Sequence, residues 1–335
     1  MTGFEIYLRK QSRVLDQYLS TFFGEGSHPD MRRYLYGPLR AFSDNAGKRH
    51  RPSICLLACE AVGGDPKRAW SSAAAIEHFH TAALIHDDIE DSSLTRRGRA
   101  CMHVAEGAGL AINAGDLALS LVTGTVLEDP DLDDKTKLRV LGELVDMTTR
   151  TIEGQALDIG WARDDRFDLT IDDYLLMANH KTAFYSGGVP LAVGAIIGGG
   201  TEAQVAALRA FGMATGLAFQ IQDDVLNLVG AGESTKKDFR SDVAEGKRTL
   251  VAIHALQDSG RRERLLEILS VRSSDPAELA EAVAIMEESG SIAFARRYAS
   301  ELIAGAKAGL EAALPPSKAR RLLSSMADFF VKRDS

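Results

Sequence analysis

Three observations predict an all-α fold. Apolar residues recur at helical spacing nearly throughout, strand-like alternation is largely absent, and turn signals cut the chain into helix-sized pieces. Leu141, Leu144, Val145 and Thr148 form one stripe, and Leu208, Phe211, Gly212 and Thr215 begin another. The breakers are Gly63-Gly64-Asp65-Pro66, Glu128-Asp129-Pro130, Gly198-Gly199-Gly200, Gly230-Ala231-Gly232 and Pro315-Pro316. Helix starts are predicted at Thr201-Glu202 and at Ser274-Asp275-Pro276, where a side-chain oxygen can accept from the first turn. Val189 to Gly200 is the most apolar stretch and is too short to span a bilayer. Its glycines predict a buried helix lying close to another backbone. No low-complexity linker or fixed-period repeat divides the chain. The 335 residues therefore read as one domain, 1–335, of about a dozen helices around a large central core.

Hydrophobic content of 45% and charged content of 26% are those of a globular protein. Glu5, Arg9 and Lys10 interrupt any apolar run at the start, so neither a leader nor a membrane span is predicted. Cys55, Cys59 and Cys101 make no disulfide framework, which predicts a reducing, cytoplasmic setting. Cys55 and Cys59, one helical turn apart in an apolar run, are predicted core residues. A net charge of −8 excludes broad nucleic-acid binding. A phosphorylated substrate remains compatible with it, provided local cations meet the phosphate.

Two acidic segments carry the chemistry: Asp87-Asp88-Ile89-Glu90-Asp91 and Asp223-Asp224-Val225-Leu226-Asn227. On a helix, positions i, i+1 and i+4 fall within one arc of roughly 100°. Each segment therefore presents its oxygens to one side. Unpaired carboxylates crowded together repel and resist desolvation, so they call for a cation. Hard oxygen donors suit Mg²⁺, which commonly sits between carboxylates and substrate phosphates.

Cations accompany both segments. Arg96 and Arg97 follow the first, and a guanidinium fork matches phosphate oxygens. Gly47-Lys48-Arg49-His50-Arg51-Pro52 is a basic loop upstream, and His80 lies two turns before Asp87. Lys181-Thr182 places an ammonium and a hydroxyl in an apolar context. Gln220 precedes the second acidic pair, and Lys237, Asp242 and Glu245-Gly246-Lys247-Arg248-Thr249 follow it.

Together these pieces resemble the trans-isoprenyl diphosphate synthases of the polyprenyl synthetase family. The matching motifs stand in family order: Gly47-Lys48-Arg49-x-Arg51-Pro52, His80, Asp87-Asp88-x-x-Asp91, Arg96-Arg97-Gly98, Gly154-Gln155-x-x-Asp158, Lys181-Thr182, Phe219-Gln220-x-x-Asp223-Asp224 and Asp242-x-x-Glu245-Gly246-Lys247-x-Thr249. The ending Phe329-Phe330-Val331-Lys332-Arg333 is also similar. Two positions depart from the family pattern. Asn227 replaces the last aspartate of the second motif, keeping an oxygen but losing a charge, and Ala100 stands where proline is frequent.

The resemblance implies an isoprenoid synthase-type bundle around a large central cavity, which joins isopentenyl diphosphate head to tail to an allylic diphosphate. By resemblance, Asp87, Asp91 and Asp223 hold three Mg²⁺ ions on the allylic diphosphate, with Asp88 and Asp224 in support. Arg96, Lys181 and Lys247 contact the same diphosphate, and Thr182, Gln220 and Lys237 line the site. Isopentenyl diphosphate is expected against Lys48, Arg51, His80 and Arg97. A homodimer is implied by the family alone.

In this family, residues one and two turns before the first motif set product length. Here they are Ala82 and Ala83, then Phe79, which lies about 12 Å along the helix axis from Asp87. Small residues at the nearer turn, and no insertion within the first motif, predict geranylgeranyl diphosphate rather than a geranyl or farnesyl product. Competing readings are a terpene cyclase on the same fold, a non-catalytic regulatory subunit and a metal phosphohydrolase. The isopentenyl residues count against the first, the retained acidic motifs against the second, and the distant second cluster against the third.

Overall fold

The structure is a computed structural model that describes residues 2–45, 47–229 and 240–331. Helices make up nearly all of it, as the apolar periodicity predicts. Among the described residues the strands are one antiparallel pair, Thr95–Arg96 with Arg99–Ala100. The chain forms two compact units. The first comprises Met1–Thr148, Val189–Leu208 and Leu314–Leu323, and the second Thr149–Gly188, Arg209–Ala313 and Ser324–Ser335.

In the first unit, the Gly3–Leu19 helix starts at Thr2, whose hydroxyl accepts from the Glu5 N–H while Glu5 reaches back to the Thr2 N–H. Its buried residues Phe4, Leu8, Leu15 and Leu19 hold one face against the core. The His50–Ala61 helix is buried along almost its whole length, Cys55 and Cys59 included. The predicted apolar segment Val189–Ile197 is a helix with every residue buried. A Cβ on Gly194 would collide with the Cys55 carbonyl oxygen, so this glycine is what lets the two backbones touch.

The Trp70–Glu90 helix carries the first acidic segment on its last turn. Ala82 and Ile85 pack with Ala111, Ala114 and Ala118 of the Ala108–Leu127 helix, and with Phe23 and Leu39. Ala108–Leu127 is the one described helix long and apolar enough to cross a membrane, with 39% of that window buried. Its alanine-rich face explains the composition: small side chains let it lie close to the acidic helix.

In the second unit, Thr170 caps the Ile171–Ala178 helix in a reciprocal capping box with Asp173. The chain then widens into a π-helix, Asn179–Gly188, that carries Lys181 and Thr182. The predicted start at Ser274-Asp275-Pro276 is present, with Asp275 accepting from the Ala277 N–H at 2.9 Å before the Pro276–Glu288 helix. The other predicted start leads into Glu202–Val229, which carries the second acidic segment near its end.

Candidate active site

The first acidic segment is two carboxylates tied by one arginine. Thr95–Arg96 and Arg99–Ala100 are joined by Arg97-Gly98, both at positive φ (52° and 77°), a tight hairpin turn. That turn folds Arg96 back onto the helix end. Its Nε donates to Asp88 Oδ1 at 2.5 Å and one terminal nitrogen to Asp87 Oδ2 at 3.2 Å. The two aspartates differ in exposure: the Asp88 side chain is 1% accessible and that of Asp87 31%. Asp88 is thus the buried anchor of Arg96, whereas Asp87 can meet a ligand. The buried Cys101 thiol is pushed up to about 11 by burial and by the neighbouring Asp88 carboxylate, which keeps it a neutral thiol.

Three of the four predicted isopentenyl residues, Arg51, His80 and Arg97, come together in the same unit. His80 is held well below its ordinary pKa, first by burial and then by the charges of Arg51, His50, Arg97 and Arg96. It is therefore a neutral donor or acceptor inside a cationic cluster. Arg51 is buried at the start of the His50–Ala61 helix, and Arg97 donates to the Asn45 carbonyl at 2.7 Å. Lys48 lies in the loop between Gly47 and Arg49.

In the second unit a hydrogen-bonded relay surrounds Asp224. Its Oδ1 accepts from Gln220 Nε2 at 2.8 Å and its Oδ2 from Tyr174 Oη at 2.9 Å. Thr182 Oγ1 in turn donates to Gln220 Oε1 at 2.9 Å. Asp224 is raised to about 7 by burial and by the charges of Asp242 and Asp223, against the hydrogen bonds that favour its ionised form. Lys181 forms an ion pair with Asp158. A Cβ on Gly154 would run into the Lys181 backbone, so the bare glycine is what seats that turn. Lys247 Nζ pairs with Asp242 Oδ1 at 3.2 Å and Glu245 Oε2 at 2.9 Å. Lys237 lies outside the described residues.

Of the product-length residues, Phe79 and Ala82 are sealed in the core at 1% and 0% exposure, whereas Ala83 is half-buried. Sequence reasoning assigned no role to Tyr174, Cys101 or Glu77. Asp158 and Asp242 stood inside quoted motifs, and their spacing to Lys181 and Lys247 was the available signal.

The donor chemistry of each acidic turn fits Mg²⁺. Asp87 and Asp91 in the first unit, and separately Asp223 in the second, offer hard oxygens, and Asp224 is disfavoured as an anion by burial and by its acidic neighbours. Among the described residues no group of three or more acidic, histidine or cysteine side chains is arranged to hold a metal ion.

Helices presenting paired carboxylates, each flanked by fixed cations, define a diphosphate-handling protein. The polyprenyl synthetase family profile matches residues 32–286, and the chain belongs to that family. It is 43% identical over 329 residues to a short chain isoprenyl diphosphate synthase of Methanothermobacter thermautotrophicus, covering 98% of each chain. It matches the crystal structure of a geranylgeranyl pyrophosphate synthetase from Pyrococcus horikoshii with a TM-score of 0.91 and 34% identity, over 98% of each chain. A Corynebacterium glutamicum geranylgeranyl pyrophosphate synthase, solved with isoprenyl diphosphate and magnesium, matches at a TM-score of 0.86 and 28% identity over 99% of each chain.

Proposed function

We propose that this chain is a magnesium-dependent, head-to-tail prenyltransferase that joins isopentenyl diphosphate to an allylic diphosphate and releases geranylgeranyl diphosphate. One observation carries the choice of a synthase over a cyclase. The first unit holds a cationic cluster of Arg51, Arg97 and neutral His80, which Arg96, bonded to Asp87 and Asp88, adjoins. A cyclase has one diphosphate to hold and no use for this second anion subsite.

Asp87, Asp91 and Asp223 are the proposed ligands of three Mg²⁺ ions. When bound, the ions neutralise the charge that develops on the departing diphosphate. Arg96, Lys181 and Lys247 add fixed positive charge to the same leaving group. Each is held by a carboxylate in this structure, so it is already ordered and reorganises little on binding. Thr182, Gln220, Asp224 and Tyr174 form the relay that fixes the second acidic turn.

Ionisation leaves an allylic cation, which the alkene of isopentenyl diphosphate attacks to form the new carbon–carbon bond. A proton then leaves the carbon next to the resulting cation, and the released diphosphate is the proposed base. Lys48, Arg51, His80 and Arg97 hold isopentenyl diphosphate while this occurs. Positioning and electrostatics supply the acceleration. Lys237 belongs to the proposed allylic set by sequence alone.

We further propose that residues 1–335 act as one catalytic domain, in the cytoplasm, with no membrane-spanning segment, as a homodimer. An exposed uncharged seam on the Asp134–Arg163 helix supports the dimer: Leu138, Val145, Ile152 and Ile159 recur at heptad spacing, each at least 41% exposed. The deciding experiment incubates purified protein, Mg²⁺ and isopentenyl diphosphate with dimethylallyl, geranyl or farnesyl primers and sizes the products. Elongation to geranylgeranyl diphosphate is expected. No elongation with any primer rejects the synthase, and cyclised hydrocarbon selects the cyclase.

A further inference from the structure

The side chains of Glu77 and Arg49 form an ion pair sealed from solvent, each 3% accessible, with Arg49 donating to Glu77 Oε1 at 2.7 Å. Buried pairs of this kind are seldom the most stable solution, since a well-packed apolar pair of similar volume often does as well. The pair therefore needs another reason to be there.

Arg49 stands in the left-handed region (φ 50°, ψ 34°) as the residue that opens the His50–Ala61 helix. Side chains other than glycine, asparagine or aspartate rarely adopt that conformation unless the surroundings impose it. Its guanidinium supplies the constraint. Besides Glu77, it donates to Asp16 Oδ1 at 2.7 Å and to the Ser43 carbonyl at 2.5 Å, so all three nitrogens are engaged. A guanidinium used in this way is not offered to a phosphate. It sets the turn between Lys48 and Arg51, both proposed isopentenyl ligands.

Glu77 lies one helical turn before His80 on the Trp70–Glu90 helix. Nearby, the Arg49 and Arg97 guanidinium groups converge on Gly47. A Cβ there would sit 3.1 Å from one Arg49 nitrogen and 3.5 Å from one of Arg97. Arg49 is buried and Arg97 is exposed, and two cations this close repel. The Glu77 charge favours protonated Arg97, whereas Arg49, Arg96 and Arg51 oppose it. Glu77 is thus the carboxylate that lets the arginines pack around the subsite before the anion arrives.

We infer that Glu77 and Arg49 are a buried positioning pair for the isopentenyl diphosphate subsite, fixing Lys48, Arg51 and Arg97 without touching the substrate. This rests on the proposed prenyl transfer. The test uses Glu77→Gln and the double variant Glu77→Leu with Arg49→Met, which removes the pair without changing net charge. A melting curve confirms folding, and KM is measured separately for isopentenyl and allylic diphosphates.

The expected result is a rise of at least about tenfold in KM for isopentenyl diphosphate, with KM for the allylic primer nearly unchanged. A folded double variant with unaltered isopentenyl KM, or with both KM values raised alike, overturns the inference. Calorimetric titration with isopentenyl diphosphate in EDTA decides the case where the wild type elongates no primer. Binding that weakens about tenfold in the double variant keeps the positioning pair although prenyl transfer has failed. Equal binding, or none to the wild type, rejects it.

Discussion

Asn227 gives its side-chain oxygen to the backbone of Asp242: Oδ1 accepts the Asp242 N–H at 3.2 Å, and Nδ2 donates to Ser241 Oγ at 3.1 Å. The Asn227 carbonyl also accepts from the Arg240 N–H at 3.0 Å. The residue that departs from the family motif is therefore a clamp on the Ser241–Ala244 turn, and its oxygen is already committed. Asn227→Asp keeps that acceptor and adds a charge to the cluster of Asp223, Asp224 and Asp242. We expect it to lower the Mg²⁺ concentration for half-maximal activity severalfold. Asn227→Ala should raise that concentration, because Asp242 and its partner Lys247 lose their anchor. Magnesium titrations of initial rate distinguish the two.

Product length can be tested with two adjacent alanines. Ala82 is fully packed against Ala111, Ala114 and Ala118, so Ala82→Phe overpacks the core and should cost about 1–3 kcal/mol of stability. Ala83 is half-buried, one turn before Asp87, and can accept a ring at lower cost. Ala83→Phe should shift the product from geranylgeranyl towards farnesyl diphosphate with little change in melting temperature. Chain-length analysis of both variants, beside their melting curves, checks this. Unchanged products from Ala83→Phe would place the product-limiting wall elsewhere.

The contrast between these alanines marks what the sequence could and could not tell. Helical period, caps such as Asp275 and the apolar segment 189–200 were legible because they depend on local spacing. So was the clustering of Arg51, His80 and Arg97, through family order. The division between a metal-binding Asp87 and a supporting Asp88 also came with the resemblance, but the burial of Asp88 under Arg96 did not, since a hairpin eight residues on decides which carboxylate Arg96 covers. The π-helix at Asn179–Gly188 was also hidden. Its wide turn goes with close contacts to a distant helix, where a Cβ on Gly216 would press on the Ala183 backbone. Glu77 gave no signal, because a glutamate in an apolar helix looks the same whether it meets water or a buried arginine.

The seat of Lys181 yields a further prediction. Gly154→Ala drives a methyl into the Lys181 backbone and should displace that turn from Asp158. Turnover should fall on the order of a hundredfold for a misplacement near 1 Å. Asp158→Asn keeps the turn but loosens the ammonium, and should mainly raise KM for the allylic substrate. Steady-state kinetics with a farnesyl or geranyl primer separates the two effects. Equal losses from both would mean that Lys181 is not held by this geometry.

His78 sets a pH limit on the fold itself. Its ring is buried between the edges of Phe22 and Phe23, with centroids at 5.5 and 5.4 Å, and neither ring nitrogen has a hydrogen-bond partner. Burial, with the charge of Arg49, lowers its pKa to about 4 from an ordinary 6.5. Between those values the unfolded chain binds a proton that the folded chain refuses. Stability is therefore present in full above pH 6.5 and falls as the pH drops towards 4, by on the order of 3 kcal/mol from this residue. His78→Leu removes the titrating ring from a site that offers it no polar partner. Urea unfolding at pH 7 and pH 5 should show a smaller loss in the variant than in the wild type. An equal loss in both would mean that acid enters the fold elsewhere, with His80, also held well below its ordinary pKa, the next residue to substitute.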